Sequence, residues 1–500
     1  MSKGSRRLFL VILIGILPLF GCSGVSTGGG SSPASPVPTY QVVTISDLHF
    51  NPLYDPSLLP QLMAAAPSQW GNIYKTSKIS APSIGGTDTN YPLLAYTLAS
   101  LQLSAKHSPV ILFTGDLLGH YIPQTYCTIL HSPNPAPPTC ITDNSSQIQQ
   151  LINNTFAFVA GEIHGAVGTV PVIYVPGNID TYSGGYGPDA NFLSQNESTV
   201  YTKFLNSTGD EATFASTFSV YGYYAVQPLG SKLEIIGLNS NLFAYGWSSF
   251  ANAKAEITWL GQQLQAAQAS GKKVWILMHV PPGANAQEII LAAPLPKDVN
   301  EALFANEALE MWNWDPNVQS LFIDTLSAYP GVVTLMVAGH THMDEFRILD
   351  SAGDVLEQLP GISPVFGNNP AYKILTVTQD TFTPVNYQSM NYNLGSAQPL
   401  AFLPLYDFAN TYGSQSTLTN SLTQLSPELD SNPATRNMYT FLYMSGSQGV
   451  NPSTQAPWNP MNDLNWPIFG CTINATDVTS YINCTNSMGN SAMKSSASQR

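Results

Sequence analysis

Five short apolar, β-forming runs punctuate this chain: QVVTIS from Gln41, PVILFT from Pro109, PVIYVP from Pro171, KKVWILM from Lys272 and VVTLMVA from Val332. Runs of this length and continuity predict buried strands of a mainly parallel sheet, covered on both faces. Helical spacing predicts helices over Leu93–Lys106, Ser146–Glu162, Asn252–Ser270 and Pro316–Tyr329. Trp259, Leu260 and Leu264 recur at helical spacing in the third, and the fourth starts with proline in its first turn. Between Phe214 and Ser240 the pattern reads as β, and Phe346–Leu359 and Tyr372–Tyr387 read as further strands joined by turns. This alternation over residues 41–391 predicts one α/β domain, a β-sandwich flanked by helices, long enough for a large core. Beyond it, Leu405–Leu425 and Pro427–Met444 predict a small C-terminal helical subdomain over 392–485, and 486–500 is expected to be disordered.

Residues 1–22 read as an address rather than as part of the fold. Lys3, Arg6 and Arg7 precede an apolar run of 13 residues, LFLVILIGILPLF, which is of signal-peptide length and short for a bilayer span. The run ends at Leu19-Phe20-Gly21-Cys22, which resembles a bacterial lipoprotein cleavage box and makes Cys22 the expected lipidation site. Ordinary secretion with a chance cysteine is the other reading. Residues 23–40, rich in Gly, Ser and Pro, would then form a flexible tether. The expected location is the outer membrane, periplasm or cell surface, with the membrane reached through the lipid anchor.

Without Cys22, four cysteines remain, and an even number in an exported chain points to disulfides. Of three connectivities, Cys127 with Cys140 and Cys471 with Cys484 is the expected one, since both are local pairs with the same separation. Only 10% of residues are charged and the net charge is −14, which argues against nucleic acid as a partner. A monomer is expected.

Metal-binding side chains stand directly after the five strand runs: Asp47-Leu48-His49, Gly115-Asp116, Gly177-Asn178, His279 and Gly339-His340-Thr341-His342. A parallel sheet gathers the carboxyl ends of its strands at one edge, so residues about 300 apart in sequence can converge there. Side chains two apart on an extended segment point the same way, so Asp47 and His49 can share one ion. A single Asp-x-His or Gly-Asp is more often a turn or a cap, and His279 alone more often a satisfied core histidine. All five in this order are a different matter, and four of the eight histidines lie in them. Carboxylate, amide and imidazole donors suit two divalent ions, zinc first, with manganese or iron open. Two ions about 3.5–4 Å apart suit attack of hydroxide on phosphorus.

In this order the motifs resemble the calcineurin-like metallophosphoesterase superfamily. The resemblance implies a four-layer β-sandwich flanked by helices. It also implies one ion on Asp47, His49, Asp116 and His342, a second on Asp116, Asn178, His279 and His340, and in-line attack by a metal-bridging hydroxide. DLHFNPLYDP from Asp47, DTNYPLL from Asp88, GDLLGH from Gly115 and ISPVFGNNP from Ile362 are similar, more narrowly, to acid sphingomyelinase-like phosphodiesterases. In that family a histidine four residues after the bridging aspartate stands beside the leaving group, which implies His120 as general acid. One departure matters: Gly177-Asn178-Ile179-Asp180 stands where the family has Gly-Asn-His-Asp/Glu. Isoleucine cannot move a proton, so more weight falls on His120, with Asp180 or Tyr182 as candidates to compensate.

The resemblance therefore implies a metal-dependent phosphodiesterase acting on a small phosphoester, a nucleotide or a phospholipid headgroup. The first strand follows directly on the tether, so no saposin-like domain is expected ahead of it. That tilts the expectation from sphingomyelin toward soluble phosphodiesters or phosphoanhydrides. Two alternatives remain: a phosphomonoesterase or nucleotidase with the same metals, and a noncatalytic ligand-binding surface lipoprotein.

Overall fold

A computed structural model describes residues 37–497 apart from 132–136, 188, 248, 293–310, 350–353, 397–400, 448, 450–460 and 464. The expected signal peptide, Cys22 and most of the tether lie outside the described residues. Among those residues twelve strands form: β1 (Thr39–Ile45), β2 (Ile111–Phe113), β3 (Val172–Tyr174), β4 (Tyr224–Val226), β5 (Leu233–Gly237), β6 (Lys273–Leu277), β7 (Val333–Ala338), β8 (Glu345–Ile348), β9 (Val355–Gln358), β10 (Ala371–Thr378), β11 (Pro384–Asn391) and β12 (Leu403–Asp407). They build two six-stranded mixed sheets, ordered β12-β11-β10-β1-β2-β3 and β4-β5-β6-β7-β9-β8. The five apolar runs are β1, β2, β3, β6 and β7. The first three are parallel neighbours in one sheet, and β6 and β7 are parallel neighbours in the other.

Alternation along the second sheet sets the layers. Ile235, Trp275, Leu277, Leu335 and Val337 join the core that holds Val43 of β1 and Leu375 of β10. Their neighbours Ile236, Val274, Ile276, Met336 and Ala338 instead join Leu260, Leu264, Val318 and Phe322 of helices Phe250–Ser270 and Pro316–Ser327. Against the first sheet lies helix Tyr91–Ser104, whose Ser100 and Ser104 hydroxyls meet Tyr372 of β10 at 2.7 and 2.9 Å. Helix Ser145–Val167 sets its Phe156 ring 5.6 Å from Tyr174 of β3. Helix, sheet, sheet and helix make the four-layer sandwich. Among the described residues no helix is long and apolar enough to cross a membrane.

Two segments depart from the sequence reading. The expected β stretch from Phe214 begins inside a helix, Glu211–Tyr221, where the Asp210 side chain accepts from Thr213 N at 2.8 Å and Gly222 ends the helix at φ 82°. Phe214 and Phe218, one helical turn apart, stack at 4.8 Å, so aromatic residues that favour strands serve a helix face here. The helix expected from Leu405 begins as β12, paired antiparallel with β11. Helices Phe408–Tyr412 and Leu418–Ser431 follow, and Pro427 sits inside the second of these. The next helix starts at Pro433 with Asn432 as its cap. Residues after 392 thus contribute both a strand to the first sheet and a set of C-terminal helices. The last described helix is Val478–Ala497.

An ion cluster ties the sheets together. Lys373 of β10 is fully buried and places Nζ 2.8 Å from Asp344 and 2.8 Å from Glu357 of β9, with the Tyr387 ring 4.4 Å away. Lys373→Met leaves both carboxylates buried without a counter-charge and is expected to cost about 3–5 kcal/mol, read as a lower urea midpoint at unchanged slope.

Candidate metal centre

The edge where β1, β2, β3, β6 and β7 end collects every candidate ligand. The chain turns sharply as it leaves these strands. Asp47, His49, Asp116, His340 and His342 have φ of 50°, 42°, 53°, 79° and 63°, in the left-handed region that costs a residue with a Cβ about 1–3 kcal/mol. Two glycines make room for the carboxylates: a Cβ on Gly177 would collide with Asp116, and one on Gly339 with Ser46 and Asp47. Five strained backbones side by side are held only because strands on both sheets fix their ends.

Two clusters result, Asp47–His49–His342 and Asp47–Asp116–His279, all buried. His49 Nε2 lies 3.1 Å from His342 Nε2, 3.8 Å from Asp47 and 3.4 Å from Asp116 Oδ2. His279 Nε2 lies 3.1 Å from the same Asp116 oxygen and 2.9 Å from Asn178 Oδ1. The Asn178 oxygen is also 2.9 Å from His340 Nδ1. Asp47 is common to both clusters, and Asp116 links His279 to His49: Oδ1 accepts from Ile179 N at 2.8 Å, and Oδ2 faces an imidazole on either side.

Backbone carbonyls fix three of the rings from behind. His49, His279 and His342 donate Nδ1–H to the carbonyls of Leu118, Thr114 and Ser363 at 3.0, 2.7 and 3.0 Å. A neutral imidazole donating from Nδ1 keeps a lone pair on Nε2. His342 therefore aims a lone pair at His49 Nε2, while the Nε2 atoms of His49 and His279 face the Asp116 carboxylate. Burial pulls the His49 and His279 rings down, but Asp116 and Asp47 overcome it and push both up to about 9. Burial drops His340 and His342 to about 3 and about 4, with neighbouring imidazoles adding to the fall. Asp116 stays well below the usual carboxylate range against its burial, held by His279, His49 and the Ile179 N–H. The donor set, with imidazoles fixed from behind by carbonyls and a carboxylate between the halves, fits divalent metal ions.

His120 stands beside this centre, its ring stacked on His49 at 4.1 Å. Asp88 holds it twice, accepting from the His120 backbone N at 2.7 Å and from Nδ1 at 2.8 Å, so Nε2 is the nitrogen left for a substrate. Asp88 lies in the DTNYPLL segment, and nothing in the sequence said what it would touch. The two candidates to replace the missing histidine both fail. Asp180 is buried and accepts from Leu117 N, Leu118 N, Gly177 N and Tyr174 OH at 2.8–3.0 Å, a brace between the Asp116 and Asn178 turns. Burial and then Asp116 push its carboxyl up to about 6. Tyr182 donates to Asn153 at 3.0 Å, away from the centre.

A cavity of about 180 Å³ opens over the centre, lined among others by His120, Ile179, Tyr186, Glu288 and Phe366. Tyr186, which no motif marked, places its hydroxyl 2.9 Å from His340 Nε2. The disulfides form as Cys127–Cys140 and Cys471–Cys484. The first braces helix Ile122–Leu130, which starts two residues after His120.

Residues 40–344 match the family described as calcineurin-like phosphoesterase. Sphingomyelinase phosphodiesterase D of Dictyostelium discoideum is 25% identical, over 70% of this chain and 74% of its own. Sphingomyelinase phosphodiesterase C of the same organism is 23% identical, over 64% of this chain and 66% of its own. Human cyclic GMP-AMP phosphodiesterase SMPDL3A is 26% identical, over 70% of this chain and 69% of its own.

Proposed function

The chain belongs to the calcineurin-like phosphoesterase family, and from that premise we propose that it is an exported phosphodiesterase of acid sphingomyelinase-like type. In this reading it cleaves phosphodiester or phosphoanhydride bonds with two divalent ions, zinc in the first instance. Asp47, His49, Asp116 and His342 would hold one ion, and Asp116, Asn178, His279 and His340 the other. The observation that carries the reading is Asp116 Oδ2 poised 3.4 Å from His49 and 3.1 Å from His279, with His342 beside the first ring and Asn178 and His340 beside the second. When bound, the ions supply Lewis acidity and an activated water nucleophile.

The residues of the chain supply the rest. The carbonyls of Leu118, Thr114 and Ser363 keep three imidazoles in the ligating tautomer. His120, with Nδ1–H given to Asp88, offers Nε2 to the leaving oxygen as general acid. Export is supported by two disulfides, which persist in oxidising compartments. Lipidation at Cys22 and a monomeric state complete the reading.

The test uses purified protein reconstituted with zinc or manganese. Elemental analysis is expected to give two equivalents of metal. Chelation should remove hydrolysis of bis-p-nitrophenyl phosphate at acidic or neutral pH, and zinc should restore it. Preference for p-nitrophenyl phosphate over the diester would make the enzyme a phosphomonoesterase, and metal-independent binding without turnover would make it a ligand-binding protein.

A further inference from the structure

Ile179 leaves one wall of the cavity without the proton donor that the family pattern has there, and outside the candidate metal ligands Tyr186 is the polar side chain closest in sequence that lines the same cavity. Its ring is fixed from two sides. It stacks on Trp247 at 6.2 Å and 20°, and it meets His340 edge-on at 5.8 Å. Trp247 is 60% exposed, so the pair runs from the metal centre to the rim.

The hydrogen-bond arithmetic follows from His340. Its Nδ1 faces Asn178 Oδ1 and the centre, and its Nε2 faces the Tyr186 oxygen at 2.9 Å. If Nδ1 gives its lone pair to an ion, as the proposed function has it, the single ring hydrogen sits on Nε2 and is donated to the phenol oxygen. The hydrogen of the phenol is then left for another acceptor, and Tyr186 lines the cavity. We propose that Tyr186 contacts the substrate, donating its O–H to a nonbridging phosphoryl oxygen and replacing the donor lost at Ile179. The inference rests on the metal reading. A donor aimed where charge gathers acts in the transition state more than in the ground state.

The experiment takes the full chain loaded with zinc and compares it with Tyr186→Phe, which removes one oxygen and leaves the ring. Three quantities are measured: bound zinc, inhibition by inorganic phosphate, and kcat and KM on bis-p-nitrophenyl phosphate. The expected result is unchanged zinc, phosphate inhibition weakened about tenfold, and kcat lowered about 10²-fold with little change in KM. Adding Ile179→His to Tyr186→Phe should recover at least tenfold of the lost kcat, because an N–H donor returns to that wall. Unchanged phosphate affinity and kcat in Tyr186→Phe overturn the proposal. So does a loss of zinc in step with activity, since the hydroxyl would then only hold His340. A parent chain that binds no zinc overturns the metal reading and this proposal together, whereas a zinc-loaded, active parent with an indifferent Tyr186→Phe overturns this proposal alone.

Discussion

Asp116→Asn is expected to lower kcat on bis-p-nitrophenyl phosphate by about 10³-fold and to cut bound zinc below two equivalents. Asp116 lies between two candidate imidazole ligands: one oxygen is tied to Ile179 N, and the other is 3.4 Å from His49 and 3.1 Å from His279. Asparagine keeps the shape and the left-handed turn at φ 53°, a conformation it tolerates well, so the fold should survive. What changes is charge. The amide can keep the Ile179 contact only by turning its NH₂ toward the two imidazoles, where it offers hydrogens to nitrogens meant for metal. Without the carboxylate, the largest influence opposing the burial that drives His49 and His279 down is gone, leaving mainly Asp47, and the centre loses one of its negative charges. Metal analysis beside circular dichroism separates this outcome from unfolding. A folded Asp116→Asn variant with full metal and parental turnover would remove the dinuclear reading.

The ligand positions could be read from sequence because two simple periodicities act together. Continuous apolar runs marked β1, β2, β3, β6 and β7; parallel pairing aligns the ends of the first three in one sheet and of the last two in the other, and the packing of the sheets brings the two sets together. What the sequence hid lies in longer-range geometry. The left-handed turns at Asp47, His49, Asp116, His340 and His342 carry no glycine to announce them, since the surrounding strands impose the strain. Asp88 and Tyr186 act through contacts 32 and 154 residues away in sequence, which no local spacing encodes. The misread segments share another cause. In FSVY and LPLY, residues fitting either state are decided by neighbours: Asp210 caps a helix over the first, while β11 and a hydrogen bond from Tyr406 to Asp344 at 2.8 Å draw the second into a sheet.

His120→Ala should divide substrates by leaving group. p-Nitrophenolate departs without a proton, so its diesters need little acid catalysis and should lose less than about tenfold. Esters of simple alcohols leave as basic alkoxides and should lose about 10²–10⁴-fold. The ring stacks on His49 and is hydrogen-bonded through Nδ1, so its free Nε2 borders the centre. Asp88→Asn tests the same argument from behind. Asp88 is a positioning residue, buried and bonded to both the backbone N and Nδ1 of His120, and asparagine can present either an acceptor or a donor to the ring. When it donates, the imidazole hydrogen moves to Nε2 with no carboxylate to stabilise the charged ring, and acid catalysis weakens. The variant should therefore reproduce the leaving-group dependence of His120→Ala at smaller amplitude, with metal content unchanged. Equal losses on both substrate classes in His120→Ala would take His120 out of the acid role. A flat Asp88→Asn response beside a steep His120→Ala one would leave His120 in that role and reduce Asp88 to a structural contact.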